Sequence, residues 1–176
     1  MKNLTFPLAA VAVMLLSAFT FSSSINWNIS DGYEVKFMSK KATGIFSKMS
    51  GDVAFDANNL DASSFNVSLD VASINTGNGM QNKHAVSDKW FDAETYPKIT
   101  FVSKSFSKTG NGYEVVGSLT MHGVTKEFTM PFTFENNVFK SSLKVNRLTY
   151  GVGTMKGMSK NVPEFLDVEI SVPVSK

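Results

Sequence analysis

The sequence predicts an all-β domain of about eight antiparallel strands that close into a barrel. Three observations carry this. Apolar residues recur with a period of two, turn-forming residues break the alternating runs at short intervals, and phenylalanine is over-used, with 15 in 176 residues. A period of two gives each strand one dry and one wet face, and phenylalanine suits the dry face of a strand. Short links between successive strands describe a meander, the arrangement that closes on itself most simply.

The chain begins with Met1-Lys2-Asn3, then runs almost wholly apolar from Leu4 to Phe21, broken by Thr5, Ser17 and Thr20, before Ser22, Ser23 and Ser24. A positive start, an apolar run and small residues are the parts of an export signal. We expect residues 1–24 to be removed, with the mature chain starting between Ser22 and Asn28, and the domain to occupy 25–176. An uncleaved anchor is the alternative, because the run approaches membrane-spanning length. Pro7 inside the run and the lack of a basic cluster after it favour cleavage. The protein is therefore expected in the periplasm or outside the cell.

The strands follow. Shorter alternations run through Tyr33, Val35 and Phe37, and through Leu143 and Val145. Phe65, Val67, Leu69 and Val71 alternate against Asn66, Ser68 and Asp70. Phe128, Met130, Phe132 and Phe134 alternate against Thr129, Thr133 and Glu135, and Val168, Ile170, Val172 and Val174 against Asp167, Glu169 and Ser171. The Phe65–Val71 and Phe128–Phe134 runs are each expected to be one strand with its apolar set facing inward. Turns are expected at Asp31-Gly32, Ser50-Gly51-Asp52, Ala57-Asn58-Asn59, Thr109-Gly110-Asn111-Gly112, His122-Gly123 and Asn136-Asn137. Two stretches do not alternate. Residues 78–91 have room for a short helix ended by Tyr96-Pro97, and 150–163 holds three glycines and two methionines. Both are expected to cross between strands and to act as lids.

Composition excludes several function classes. A net charge of +2 with scattered lysines does not describe a nucleic-acid surface. The absence of cysteine removes disulfides, thiol catalysis and cysteine metal sites. The two histidines, His84 and His122, lie in no metalloprotease, triad or phosphate-loop motif. We therefore expect no catalytic residue, no metal and no enzyme. An eight-stranded barrel is either filled by its own side chains or holds one slender ligand. Both readings stand on the residues alone: a carrier, or a filled barrel whose surface meets a protein partner.

A resemblance bears on that choice. The run Asn82-Lys83-His84-Ala85-Val86-Ser87-Asp88-Lys89-Trp90-Phe91-Asp92, followed by Tyr96-Pro97-Lys98-Ile99-Thr100-Phe101, resembles the central signature of the YceI-like family. Gly44-Ile45-Phe46, Gly51-Asp52-Val53-Ala54-Phe55-Asp56 and Ser73-Ile74-Asn75-Thr76-Gly77 resemble its earlier elements. Leu119-Thr120-Met121-His122-Gly123-Val124-Thr125 is similar to its hairpin, and Asn146-Arg147-Leu148-Thr149-Tyr150-Gly151 to its late element. The chain departs from the pattern at Gln81 and Asn82, where Arg-Asp is common, at Lys89, where an acid is common, and at Asp31-Gly32, where His-Ser is frequent. These exchanges are expected to remove charges near the lid and so to bear on the choice of headgroup. The resemblance implies a lipocalin-like barrel of eight antiparallel strands with a short helical lid. It also implies an exported protein that binds an isoprenoid chain, as a pyrophosphate or a quinone, without catalysis. Such a bound lipid would be its only cofactor. Transient membrane contact and a homodimer are compatible with that role.

On this basis the tail is expected against Phe65, Leu69, Leu119, Phe128, Met130 and Phe132, which the period of two puts on dry faces. The polar end is expected near His84 and Trp90, with Lys83 and Lys89 as further donors at the barrel mouth. A plug made of Trp90 and Phe91, with His84 bracing the lid, is the alternative reading of the same segment.

Overall fold

The computed structural model describes residues 24–154 and 162–176. The expected signal segment, apart from Ser24, and residues 155–161 of the second irregular stretch lie outside the described residues. Among the described residues eleven strands form one antiparallel sheet in the order β1-β4-β5-β7-β8-β9-β10-β11-β2-β3-β6. They are β1 (Asn26–Ile29), β2 (Glu34–Met38), β3 (Thr43–Phe46), β4 (Met49–Ala54), β5 (Ser64–Asp70), β6 (Ile74–Asn75), β7 (Lys98–Thr109), β8 (Gly112–Met121), β9 (Val124–Glu135), β10 (Val138–Asn146) and β11 (Phe165–Ser175). The sheet closes because β1 pairs with both β4 and β11.

Eleven strands make eight staves. β1 and β2 both lie against β11, β3 and β4 lie against β2 and β1, and β5 and β6 lie against β4 and β3. Each of these three staves is a strand broken in two. Side chains at the breaks satisfy backbone groups of the same or the neighbouring stave, as buried peptide groups require. The Tyr33 hydroxyl donates to the Ser47 carbonyl at 3.0 Å and accepts from the Met49 amide at 2.9 Å. The Ser73 hydroxyl donates to the Asp70 carbonyl at 2.6 Å and accepts from the Lys48 amide at 3.1 Å.

The expected Phe128–Phe134 strand lies within β9, with Phe128, Met130, Phe132 and Phe134 packed in or against the core and Thr129 and Pro131 exposed. The expected Phe65–Val71 strand runs from Ser64 to Asp70, ending one residue earlier than expected. Asp70 accepts from the Ala72 amide through its side chain and turns the chain into a 3-10 turn, so Val71 is buried outside the strand. A second correction concerns Ser50-Gly51-Asp52, expected as a turn. It lies inside β4, paired in unbroken register with β5. Gly51 is there because β5 comes too close for a side chain. A Cβ would sit 2.1 Å from the Asn66 carbonyl oxygen, and the residue's φ is +135°. At His122-Gly123 and Asn136-Asn137 both residues take positive φ, which matches the twist of a two-residue hairpin.

The barrel has two unlike ends. At the end where β8 begins and β9 finishes, aromatic rings fill the bore. Phe55, 1% exposed, packs edge-to-face on Tyr113, Phe132, Phe134 and Phe139, with centroids 5.0–5.5 Å apart. Trp27 Nε1 donates to the Phe55 carbonyl at 2.9 Å and fixes the segment that carries the ring. At the other end stands α1 (Gly79–Val86), the short helix expected in the 78–91 stretch. The Asn78 side chain caps it by accepting from the amides of Met80 and Gln81, and the Ser87 hydroxyl donates to the His84 carbonyl. The following turn folds back on the helix, with the amides of Phe91 and Ala93 donating to the carbonyls of Ala85 and Val86. Phe91 then meets the Phe46 ring edge-on at 6.0 Å.

Candidate ligand cavity

Between the aromatic end and α1 the barrel encloses a cavity of about 500 Å³. All eight residues singled out in the sequence line it: Phe65 and Leu69 from β5, Leu119 from β8, Phe128, Met130 and Phe132 from β9, and His84 and Trp90 from the lid segment. The six strand residues share one space because an inward position on every stave of a closed barrel faces the same bore. Phe65 and Phe132, 5.6 Å apart, form its floor against the aromatic plug. Leu143, Val145, Val168 and Ile170 complete the wall opposite β5.

At the lid end the structure differs from the expected set of donors. Trp90 and His84 reach the cavity, but Lys83 and Lys89 do not line it. The polar side chains there are Lys41, Thr76, Gln81 and Arg147. Asn82, a departure from the family pattern, has a structural task. Its side-chain oxygen accepts from the amide and the hydroxyl of Thr76, at 2.8 and 2.7 Å, tying α1 to the end of β6.

Arg147 is the residue that the sequence reading left without a role. It is 4% exposed. Its Nε donates to the Pro163 carbonyl, Nη1 to those of Val152 and Gly153, and Nη2 to that of Val162, all at 2.7–2.9 Å. The guanidinium lies 5.4 Å from the centre of the Trp90 ring. One planar fork thus joins three chain segments at the mouth: 152–153, 162–163 and the turn carrying Trp90. Burial pushes its pKa down and nearby Glu164 pushes it up. A signal for it exists in the sequence. Of the chain's 17 basic residues only this one is arginine, and a rigid five-donor fork does what a lysine cannot.

The wall has one loose seam. β9 and β10 form only three pairs, from Val138–Glu135 to Lys140–Thr133. Beyond them β9 stays on β8 and β10 stays on β11. Pro131 explains the parting. Its carbonyl accepts from the Ser141 hydroxyl at 2.6 Å, so its backbone faces β10, where proline offers no N–H. Phe128 and Met130 on one side of the seam and Leu143 on the other line the cavity. Among the described residues no group of three or more His, Asp or Glu is placed to hold a metal ion.

A YceI-like domain model matches residues 20–174. A UPF0312 protein of Pseudomonas putida is 31% identical over 160 residues, covering 84% of this chain and 78% of that protein. A UPF0312 protein of Vibrio vulnificus is 36% identical over 114 residues. That match covers 64% of this chain and 57% of the relative, so the chain spans little more than half of that protein's length. The crystal structure of Burkholderia cenocepacia BcnA superposes with a TM-score of 0.79 at 31% identity, covering 85% of this chain and all of that one. A polyisoprenoid binding domain from Saccharophagus degradans shares the fold, with a TM-score of 0.59 at 18% identity over 84% of this chain and 95% of that one. With its eight-stave closed barrel, short lid helix and a family match over nearly the whole described length, this chain belongs to the YceI-like family.

Proposed function

We propose that this protein is an exported carrier that holds a long-chain isoprenoid, or a similar amphiphilic lipid, inside its barrel. A pyrophosphate or a quinone would be the polar end. The observation that carries the reading is the cavity, whose lining is mainly apolar from the aromatic floor to the lid, with Ser68, Thr100, Lys140 and Ser141 the polar residues on the strands and Lys41, Thr76, Gln81, His84 and Arg147 gathered at the lid end. Its volume falls within the roughly 300–1,000 Å³ of small-molecule pockets. Burial is worth about 0.8 kcal/mol per CH₂, so a polyprenyl tail leaves a membrane only for a sheath that covers it. The binding named for the Saccharophagus degradans domain supports the same ligand class. No reacting group is needed for this task, and we read the protein as a binder and not an enzyme. The apolar run before residue 22 supports export.

Leu69→Trp tests the reading. The larger ring fills the bore from β5, so retention of both a long-chain quinone and an isoprenoid pyrophosphate should fall at least about tenfold, a change of about 1.4 kcal/mol. His84→Ala, at the lid, should change the preference between the two ligands and leave tail binding in place. Equilibrium binding of each ligand to native and variant protein reads both effects. A folded Leu69→Trp protein that binds as the native one does contradicts this placement of the tail.

A further inference from the structure

The exposed apolar side chains are distributed unevenly over the molecule. Among the described residues four large ones are exposed: Met80 (70%), Phe165 (53%), Val102 (47%) and Leu148 (37%). Val102 lies on the outer wall, in β7. The other three stand at the open end of the cavity. α1, which carries Met80, follows β6, and β6 pairs with β3. β3 is joined through residues 39–42 to β2, which pairs with β11 as far as Met38–Asp167. Phe165, two residues beyond Asp167, pairs with Asn146, and Leu148 is two residues beyond that. Met80, the 39–42 loop, Phe165 and Leu148 therefore follow one another around the lid-end rim.

Lysines punctuate the same arc. Lys83 is exposed one helical turn from Met80. Lys40 and Lys41 are exposed on a tight loop, in which the Ser39 hydroxyl oxygen accepts from the amides of Lys41 and Ala42. Of the acids nearby, Asp167 pairs with Lys144 and Glu164 stands beside Arg147, while Asp88, Asp92 and Glu94 lie on the turn after α1 with Lys89 among them. Exposed apolar side chains beside lysines suit a surface that is negative at its headgroups and apolar just beneath.

We propose that this rim docks on an anionic lipid bilayer, seating the cavity mouth against the membrane. The idea deepens the carrier reading, because a mouth pressed to the bilayer lets a tail pass without crossing water. The test is flotation of exported protein with vesicles of phosphatidylcholine alone or mixed with phosphatidylglycerol. Binding is expected to the mixed vesicles, to weaken as salt rises, and to be much lower on neutral ones. The pair Lys40→Glu with Lys83→Glu should lower binding by about tenfold or more. The pair Met80→Ser with Phe165→Ser should do so by a similar factor, whereas Val102→Ser should leave it unchanged. All these positions are exposed, and circular dichroism checks that each variant is folded. No binding to anionic vesicles, rim variants that bind like the native protein, or a Val102→Ser variant that loses as much, each overturns the proposal. Quinone retention measured on the same variants keeps the two ideas apart. Native protein that retains quinone without binding anionic vesicles defeats docking alone, and native protein that binds vesicles without retaining quinone defeats the carrier alone.

Discussion

Replacing Arg147 with alanine should lower the unfolding free energy by about 3–5 kcal/mol, because four carbonyls lose charge-assisted donors at once. The carbonyls belong to Val152, Gly153, Val162 and Pro163, on two chain segments that this side chain ties together. An unsatisfied buried acceptor costs about 1–3 kcal/mol, and solvent reaching a vacated site recovers part of the sum. The Trp90 face also loses its cation. Arg147→Lys should recover only a minor part, since one ammonium cannot reach both segments in the directions that a planar fork does. Urea unfolding of the three proteins measures this. A loss below about 1 kcal/mol for the alanine variant would show that the clamp contributes little.

Phe132→Asp should leave no stable folded protein. The ring is 5% exposed and touches Phe55, Phe65, Phe139 and Tyr113, all within 6.0 Å between centroids. Nothing among these neighbours pairs with a carboxylate. An unpaired buried charge costs several kcal/mol, which is of the order of a domain's whole stability. Phe132→Ala, which leaves a void but no charge, should cost about 3–5 kcal/mol and still fold if the native protein has stability to spare. Soluble expression and thermal unfolding read both variants. A stable Phe132→Asp protein would mean that β9 turns its phenylalanines outward.

The parts of this molecule that were legible in its sequence are those encoded locally. In β9 and β11 every second residue is apolar over most of the strand, and the period of two settles both strand and face. Each of the six residues assigned to the bore lines the cavity, because facing inward from any stave of a closed barrel is enough. What was not legible depends on residues far apart in the chain. Ser50-Gly51-Asp52 has the composition of a turn, yet pairing with β5 holds it extended, and only the nearness of the Asn66 carbonyl explains the glycine. The broken staves depend on Tyr33 and Ser73 reaching across to neighbouring strands. Phe55 follows the end of β4 with no alternation around it, and its burial comes from rings on β8, β9 and β10. Arg147 reads as one more surface charge until the carbonyls from both sides of residues 155–161 are seen to converge on it. The lid donors were misassigned in part for a helical reason. Lys83 falls on the outer face of α1, while Gln81 and His84 reach the cavity.

The central claim is that the cavity holds a lipid. Native mass spectrometry of the protein purified without detergent reads the occupancy of the cavity. A population heavier than the polypeptide by the mass of one isoprenoid lipid or similar amphiphile is expected. That added mass should pass into organic solvent on extraction and should be absent from Leu69→Trp purified in the same way. A single species at the mass of the bare polypeptide, which also fails to take up added long-chain quinone or isoprenoid pyrophosphate, would contradict it.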